Sequence, residues 1–179
     1  MLGKLIRGGP GHPLHPPLTD LTIGMYSLAA ALGVIGAAGG VREAAGKAMW
    51  LALVGGIIST ALTGTTGFVE WLTLEWGTPV WRTATYHMIS MLTATVLFAL
   101  AIWLQFPGYQ QGLVTVGGLI LTLVGFVVLT IGGWLGGTIV FVHGLRVLNL
   151  PELPTREAIR PGAEHEAERK STEGRLKEG

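Results

Sequence analysis

The chain has 179 residues, 49% of them hydrophobic and only 13% charged, with a formal net charge of +1. It carries four apolar runs of twenty or more residues, far more than a soluble domain of this size needs, whereas crossing ~30 Å of hydrocarbon takes ~20 residues per helix. The absence of cysteine excludes disulfides, thiolate metal sites, c-type haem attachment and iron–sulfur ligation, so any metal here must use His, Met or carboxylate.

In chain order, residues 1–17 are rich in Gly and Pro, and Pro13, Pro16 and Pro17 argue against an ordinary helix there. The segment also lacks the apolar stretch and small-residue cleavage site of a signal peptide. A first span is predicted from Leu18 to Gly39, with Thr19 and Asp20 suited to capping its start. Residues 40–47 read as a short loop, and a second span as Ala48 to Leu72. A wetter loop follows, whose Trp71, Trp76 and Trp81 belong at a headgroup boundary. The third span is predicted from Thr83 to Phe106, with Phe-Pro-Gly-Tyr (106–109) as the turn. The fourth apolar run, Gly112 to Leu148, exceeds what a span requires. Either that helix is tilted or extended, or it breaks near Gly132, Gly133, Gly136 and Gly137. From 151 onward the alternating charges of the tail read as a solvated extension. The expected architecture is all-α: an up-down-up-down integral membrane four-helix bundle over 18–148, a His-bearing segment at 1–17 and a charged tail at 149–179.

Such a bundle brings the start of helix one, the end of two, the start of three and the end of four to one side. His12, His15, His87 and His143 all fall there, as do Asp20 and Glu70. Ionisable groups are costly near hydrocarbon, which makes the cluster a functional-site hypothesis. Lys4, Arg7, Arg82, Arg146, Arg156 and Arg160 lie on this side, against Arg42 and Lys47 on the other. The positive-inside rule therefore places both termini and the histidines in the cytoplasm. His165, in the charged tail, reads as solvated.

At ~100° per residue, Gly136, Gly132, Gly125 and Gly118 all lie within about 20° of the direction of His143. That groove without side chains admits either a neighbouring helix or a flat macrocycle, and helix packing is the ordinary use of such stripes. A similar stripe, Gly56, Thr60, Thr63, Gly64 and Gly67, leads to Glu70 and is expected to pack against a helix. Imidazole suits zinc, copper, nickel and iron about equally. The groove, the aromatic content and two arginines for propionates meet the needs of haem, while Asp20 and Glu70 favour a non-haem transition metal.

Gly-His-Pro-Leu-His-Pro-Pro-Leu-Thr-Asp (11–20), Trp-Arg-Thr-Ala-Thr-Tyr-His (81–87) and Gly-Gly-Trp-Leu-Gly-Gly-Thr-Ile-Val-Phe-Val-His-Gly (132–144) together resemble the bacterial four-helix membrane family catalogued as domain of unknown function 2231. The resemblance covers roughly 8–148 and implies matching histidines at His12, His15, His87 and His143. Some members are fused to Rieske or cytochrome-type domains, which implies a redox setting and favours haem b.

The expectation is thus a bacterial inner-membrane b-type cytochrome that exchanges electrons with redox partner proteins or a larger complex. Its axial pair would be His87 and His143, with His12 and His15 beside them and Arg82 and Arg146 neutralising propionates. The rivals are a cofactor-free interaction subunit of a respiratory or photosynthetic complex and a non-haem His/carboxylate metal protein. Nothing in the chain points to nucleic acid.

Overall fold

The computed structural model describes residues 8–9, 12–148, 150, 153–158, 160 and 162. Lys4, Arg7, His165 and most of the tail lie outside the described residues. Four long apolar helices form a bundle: α1 (His15–Ala37), α2 (Arg42–Trp71), α3 (Pro79–Gln111) and α4 (Val116–Gly137), the last continued by a π-helical turn at Thr138–Val142. Each is long and apolar enough to cross a membrane. Two two-residue strands, β1 (Gly8–Gly9) and β2 (His12–Pro13), pair antiparallel ahead of α1, and a single-turn α5 (Thr155–Ala158) follows the bundle.

All four spans begin or end away from their predicted positions, for local reasons. α1 starts at His15, not Leu18, because Pro16 and Pro17 occupy the first helical positions. Proline is tolerated there, since those N–H groups have no intrahelical partner anyway. His15 is therefore the first residue of a helix, and only His12 lies in extended chain. α2 takes up most of the predicted 40–47 loop, starting at Arg42 after Val41 adopts a positive φ of 36°. Thr78 caps α3 through its Oγ1, which accepts from the Trp81 N–H, with Pro79 next.

The predicted turn at 106–109 is instead the last stretch of α3, which carries Pro107 inside it and ends at Gly112. Gly112 adopts φ +67°, the left-handed cap that glycine takes at least cost. The fully buried Gln105 holds this corner: its Nε2 donates to Leu113 O (2.7 Å) and Gly46 O (3.3 Å), and its Oε1 accepts from Thr115 N (2.9 Å). The Thr115 hydroxyl also lies 3.0 Å from that oxygen. α4 does not break at its glycines; its length is absorbed by the π turn, where the His143 N–H reaches back to Thr138 O.

α1 and α2 form one close hairpin, and α3 and α4 another. Trp50 near the start of α2 donates to Ile102 O near the end of α3 (3.1 Å), and Trp71 at the end of α2 donates to Thr85 Oγ1 near the start of α3 (3.0 Å). Those two helices are therefore antiparallel, and the hairpins meet along them. The core between the hairpins centres on Tyr26 and Phe98, fully buried and stacked with centroids 3.7 Å apart and planes 7° from parallel. Leu28, Leu51, Ile58, Leu92, Trp103 and Val127 are among the large apolar residues facing outward. They contact lipid: in a bilayer, exposed leucine and valine cost nothing, and interior contacts can be made by small residues instead.

Candidate functional site

The α2 and α4 glycine stripes are filled by neighbouring helices except at Gly64. A Cβ on Gly118 would meet Gln105, on Gly125 the ring of Phe98, on Gly132 Met91, and on Gly136 the Cε1 of His87 at 3.1 Å. The α4 groove thus receives α3 side chains, and no open slot for a macrocycle runs along it. On α2, a Cβ on Gly56 would meet the Tyr26 ring, and on Gly67 the Cε1 of His15 at 2.6 Å; Gly64 faces open space. Both stripes let aromatic and imidazole rings seat directly against backbone.

Two of the predicted histidines converge. His15, at the start of α1, presents Nδ1 to Thr63 O at 3.0 Å and to Thr66 Oγ1 at 3.2 Å. His87, two turns into α3, presents Nδ1 to Gly132 O at 2.7 Å. A carbonyl oxygen only accepts, so each Nδ1 carries the proton and donates it. In a neutral imidazole the Nε2 lone pair is then available, which is how metal-binding histidines are oriented by a carbonyl behind them. The two rings meet across the hairpin interface in a T-shaped arrangement, with centroids 6.4 Å apart and planes 86° apart.

The other candidates lie around this pair. His143 does not stand at the head of the glycine groove: the π turn, wider than an α turn, leaves it exposed, with Nε2 3.0 Å from Thr83 Oγ1 on α3. The ring opposite His87 therefore belongs to His15. His12 is exposed in β2, Asp20 is exposed on α1 and Arg82 is exposed near the start of α3. Glu70 and Arg146 form an ion pair of 3.0 Å with side chains 13% and 18% exposed, tying the end of α2 to the segment after the π turn. Arg146 takes φ +62° to make that approach. Trp71, Trp76 and Trp81 cluster beside them, with centroids 6.0 Å (71–81) and 4.1 Å (76–81) apart.

This is the arrangement that residues 11–149 carry, and over that stretch they match the family described as predicted membrane protein (DUF2231). The chain belongs to that family. No curated protein and no solved structure matches the chain. In this DUF2231 protein sequence reasoning misses Tyr26 and Gln105 as parts of the site's frame, and reads Gly67 only as helix packing. Tyr26 lies eleven residues after His15, on the same helix face.

The donor chemistry limits what the pair could hold. A bare zinc or similar ion takes three or four protein ligands, and among the described residues no group of three His, Cys, Asp or Glu is placed to supply them. An iron macrocycle brings four equatorial nitrogens of its own and asks the protein only for axial donors. Metal–imidazole bonds of ~2 Å on both sides, with each centroid about 1 Å behind its nitrogen, set axial rings ~6 Å apart. The 6.4 Å centroid separation of His15 and His87 is close to that spacing.

Proposed function

We propose that this DUF2231 protein is a membrane electron carrier of the b-cytochrome kind, holding a haem between its two hairpins with His15 and His87 as axial donors. The observation that carries this reading is the convergent imidazole pair, each ring fixed through Nδ1 to a carbonyl of its own hairpin. It replaces His143 with His15 in the expected axial pair.

When bound, such a group supplies one-electron chemistry, and the chain's residues do the rest. Thr63 O and Gly132 O hold the imidazoles in one tautomer and orientation, which raises ligand basicity. The buried Tyr26–Phe98 stack closes the bundle toward the opposite face. Arg82 and Arg146 offer positive charge to acidic side groups at the histidine end, Arg146 already engaged by Glu70. The Lys/Arg bias supports a cytoplasmic position for this face, where reduced and oxidised partner proteins would deliver and remove one electron at a time.

The test is a reduced-minus-oxidised visible spectrum of the protein purified in mild detergent after expression with ample haem, with a pyridine haemochrome assay for stoichiometry. The expected result is a sharp α band, a Soret shift and one b-type haem per chain. A flat spectrum would refute the proposal. A stoichiometric metal without a Soret band would then point to a non-haem centre, and co-purification with a large complex and no cofactor to an interaction subunit.

A further inference from the structure

The two hairpins repeat one another. A shift of 72 residues carries His15 onto His87 and Tyr26 onto Phe98, and matches Leu28-Ala29 with Leu100-Ala101, Leu32 with Leu104 and Gly36 with Gly108. The same shift carries the buried Thr22, Tyr26, Ala29, Gly33 and Gly36 of α1 onto the buried Ala94, Phe98, Ala101, Gln105 and Gly108 of α3. A common helical period would align burial once one position is matched, so the weight rests on the partner helices. There a shift of 69 residues carries Gly56 onto Gly125 and Gly67 onto Gly136. In each hairpin the later glycine takes the histidine ring and the earlier one the aromatic ring. In each, the histidine Nδ1 donates to the carbonyl four residues before the later glycine, Thr63 in one and Gly132 in the other.

α1 is antiparallel to α2, since His15 at its start meets Thr63 and Thr66 near the end of α2, and α3 is antiparallel to α2 as well. α1 and α3 therefore run the same way, and the operation relating the hairpins is a rotation about an axis along the bundle, as in the parallel repeats of other membrane proteins. Both contacts made between equivalent residues, His15 with His87 and Tyr26 with Phe98, lie on that axis.

We propose that the bundle is a tandem of one helical hairpin and that the ligand of the histidine site sits on the axis between the copies, an iron tetrapyrrole held by equivalent imidazoles whose planes are nearly perpendicular. The inference rests on the haem reading above and deepens it. The copies differ around the site: Thr22, Thr63 and Thr66 on the His15 side correspond to Ala94, Gly132 and Leu135 on the His87 side. The hydroxyls that bond around His15, in Thr22, Thr63 and Thr66, are thus missing around His87.

The experiment is electron paramagnetic resonance of the oxidised, haem-loaded full chain, alone and with His15→Ala, His87→Ala and His143→Ala. Perpendicular imidazole planes leave two iron d orbitals nearly degenerate, which gives a strongly anisotropic low-spin signal with one large g value. Parallel planes split those orbitals and give a rhombic signal. The expected results are the anisotropic signal in the wild type and conversion to high spin by both H15A and H87A. Added imidazole should restore low spin in both, with H143A unchanged. Gly136→Ala, which presses on the His87 ring without removing it, should shift the wild-type g values if either histidine variant fails to fold. A rhombic wild-type signal, or low-spin haem retained in H15A or H87A, overturns the axial placement while leaving a haem protein. A wild type that binds no haem overturns both readings.

Discussion

Replacing Gln105 with Leu tests the corner that locks α3 to α4. The side chain is fully buried, so no water stands ready to replace its amide. Leucine matches its size but orphans two backbone groups, the Thr115 N–H at 2.9 Å and the Leu113 carbonyl at 2.7 Å. Gly46 O is also an acceptor in the first turns of α2, and the Thr115 hydroxyl still reaches Leu104 O at 2.9 Å, so neither adds a full loss. Each buried orphan costs about 1–3 kcal/mol. Burying the extra apolar surface of leucine returns about 1–2 kcal/mol, so the central values leave Q105L less stable by about 2.5 kcal/mol. Unfolding in a mixed-detergent titration followed by circular dichroism measures this directly. A midpoint equivalent to less than about 0.5 kcal/mol from wild type would refute the view that this network fixes the α3–α4 turn.

Gly67→Ala and Gly136→Ala should both disturb the imidazole pair, Gly67 more, because its new methyl would stand 2.6 Å from His15 Cε1 against 3.1 Å from His87 Cε1; haem retention after gel filtration ranks them, and equal retention would count against it. Glu70→Gln leaves Arg146 largely buried with a weaker partner and should destabilise by ~2–4 kcal/mol, read in the same titration. Tyr26→Phe loses the 2.9 Å bond to Thr60 Oγ1 but keeps the stack on Phe98, so a cost of about 1 kcal/mol is expected.

The spans and the helix-packing use of the glycine stripes were legible because apolar length and helical period are properties of single segments. The ends were harder to read. Pro16 and Pro17 look like helix breakers until one sees that they occupy the first turn, and Pro107 reads as a turn until Gly112 supplies a better one. His87 was legible as a candidate by its depth in an apolar run. Its partner was not, because helix-wheel geometry says which residues share a face of one helix but not which faces of two hairpins meet. The orientation of His143 depends on the π turn before it, and nothing in Thr138–Val142 announces a change of helical period. The 72-residue echo of His15 and Tyr26 in His87 and Phe98 was present in the sequence and would have named the pair.

The Tyr26–Phe98 stack also bears on what kind of circuit the proposed carrier could join. It lies three turns, ~16 Å, below the histidines, with the closed Gln105 corner farther along α3. The core also holds apolar side chains such as Met49, Leu53 and Leu129, and the buried Thr22 and Thr63 hydrogen-bond each other between α1 and α2. Among the described residues every histidine, His12, His15, His87 and His143, belongs to the one end. If the proposed haem is held there, an electron that reaches it at the histidine end would leave by the same end, a one-sided capacitor and not a wire. On the haem reading, its turnover would move no net charge through the bilayer and would leave the membrane potential untouched.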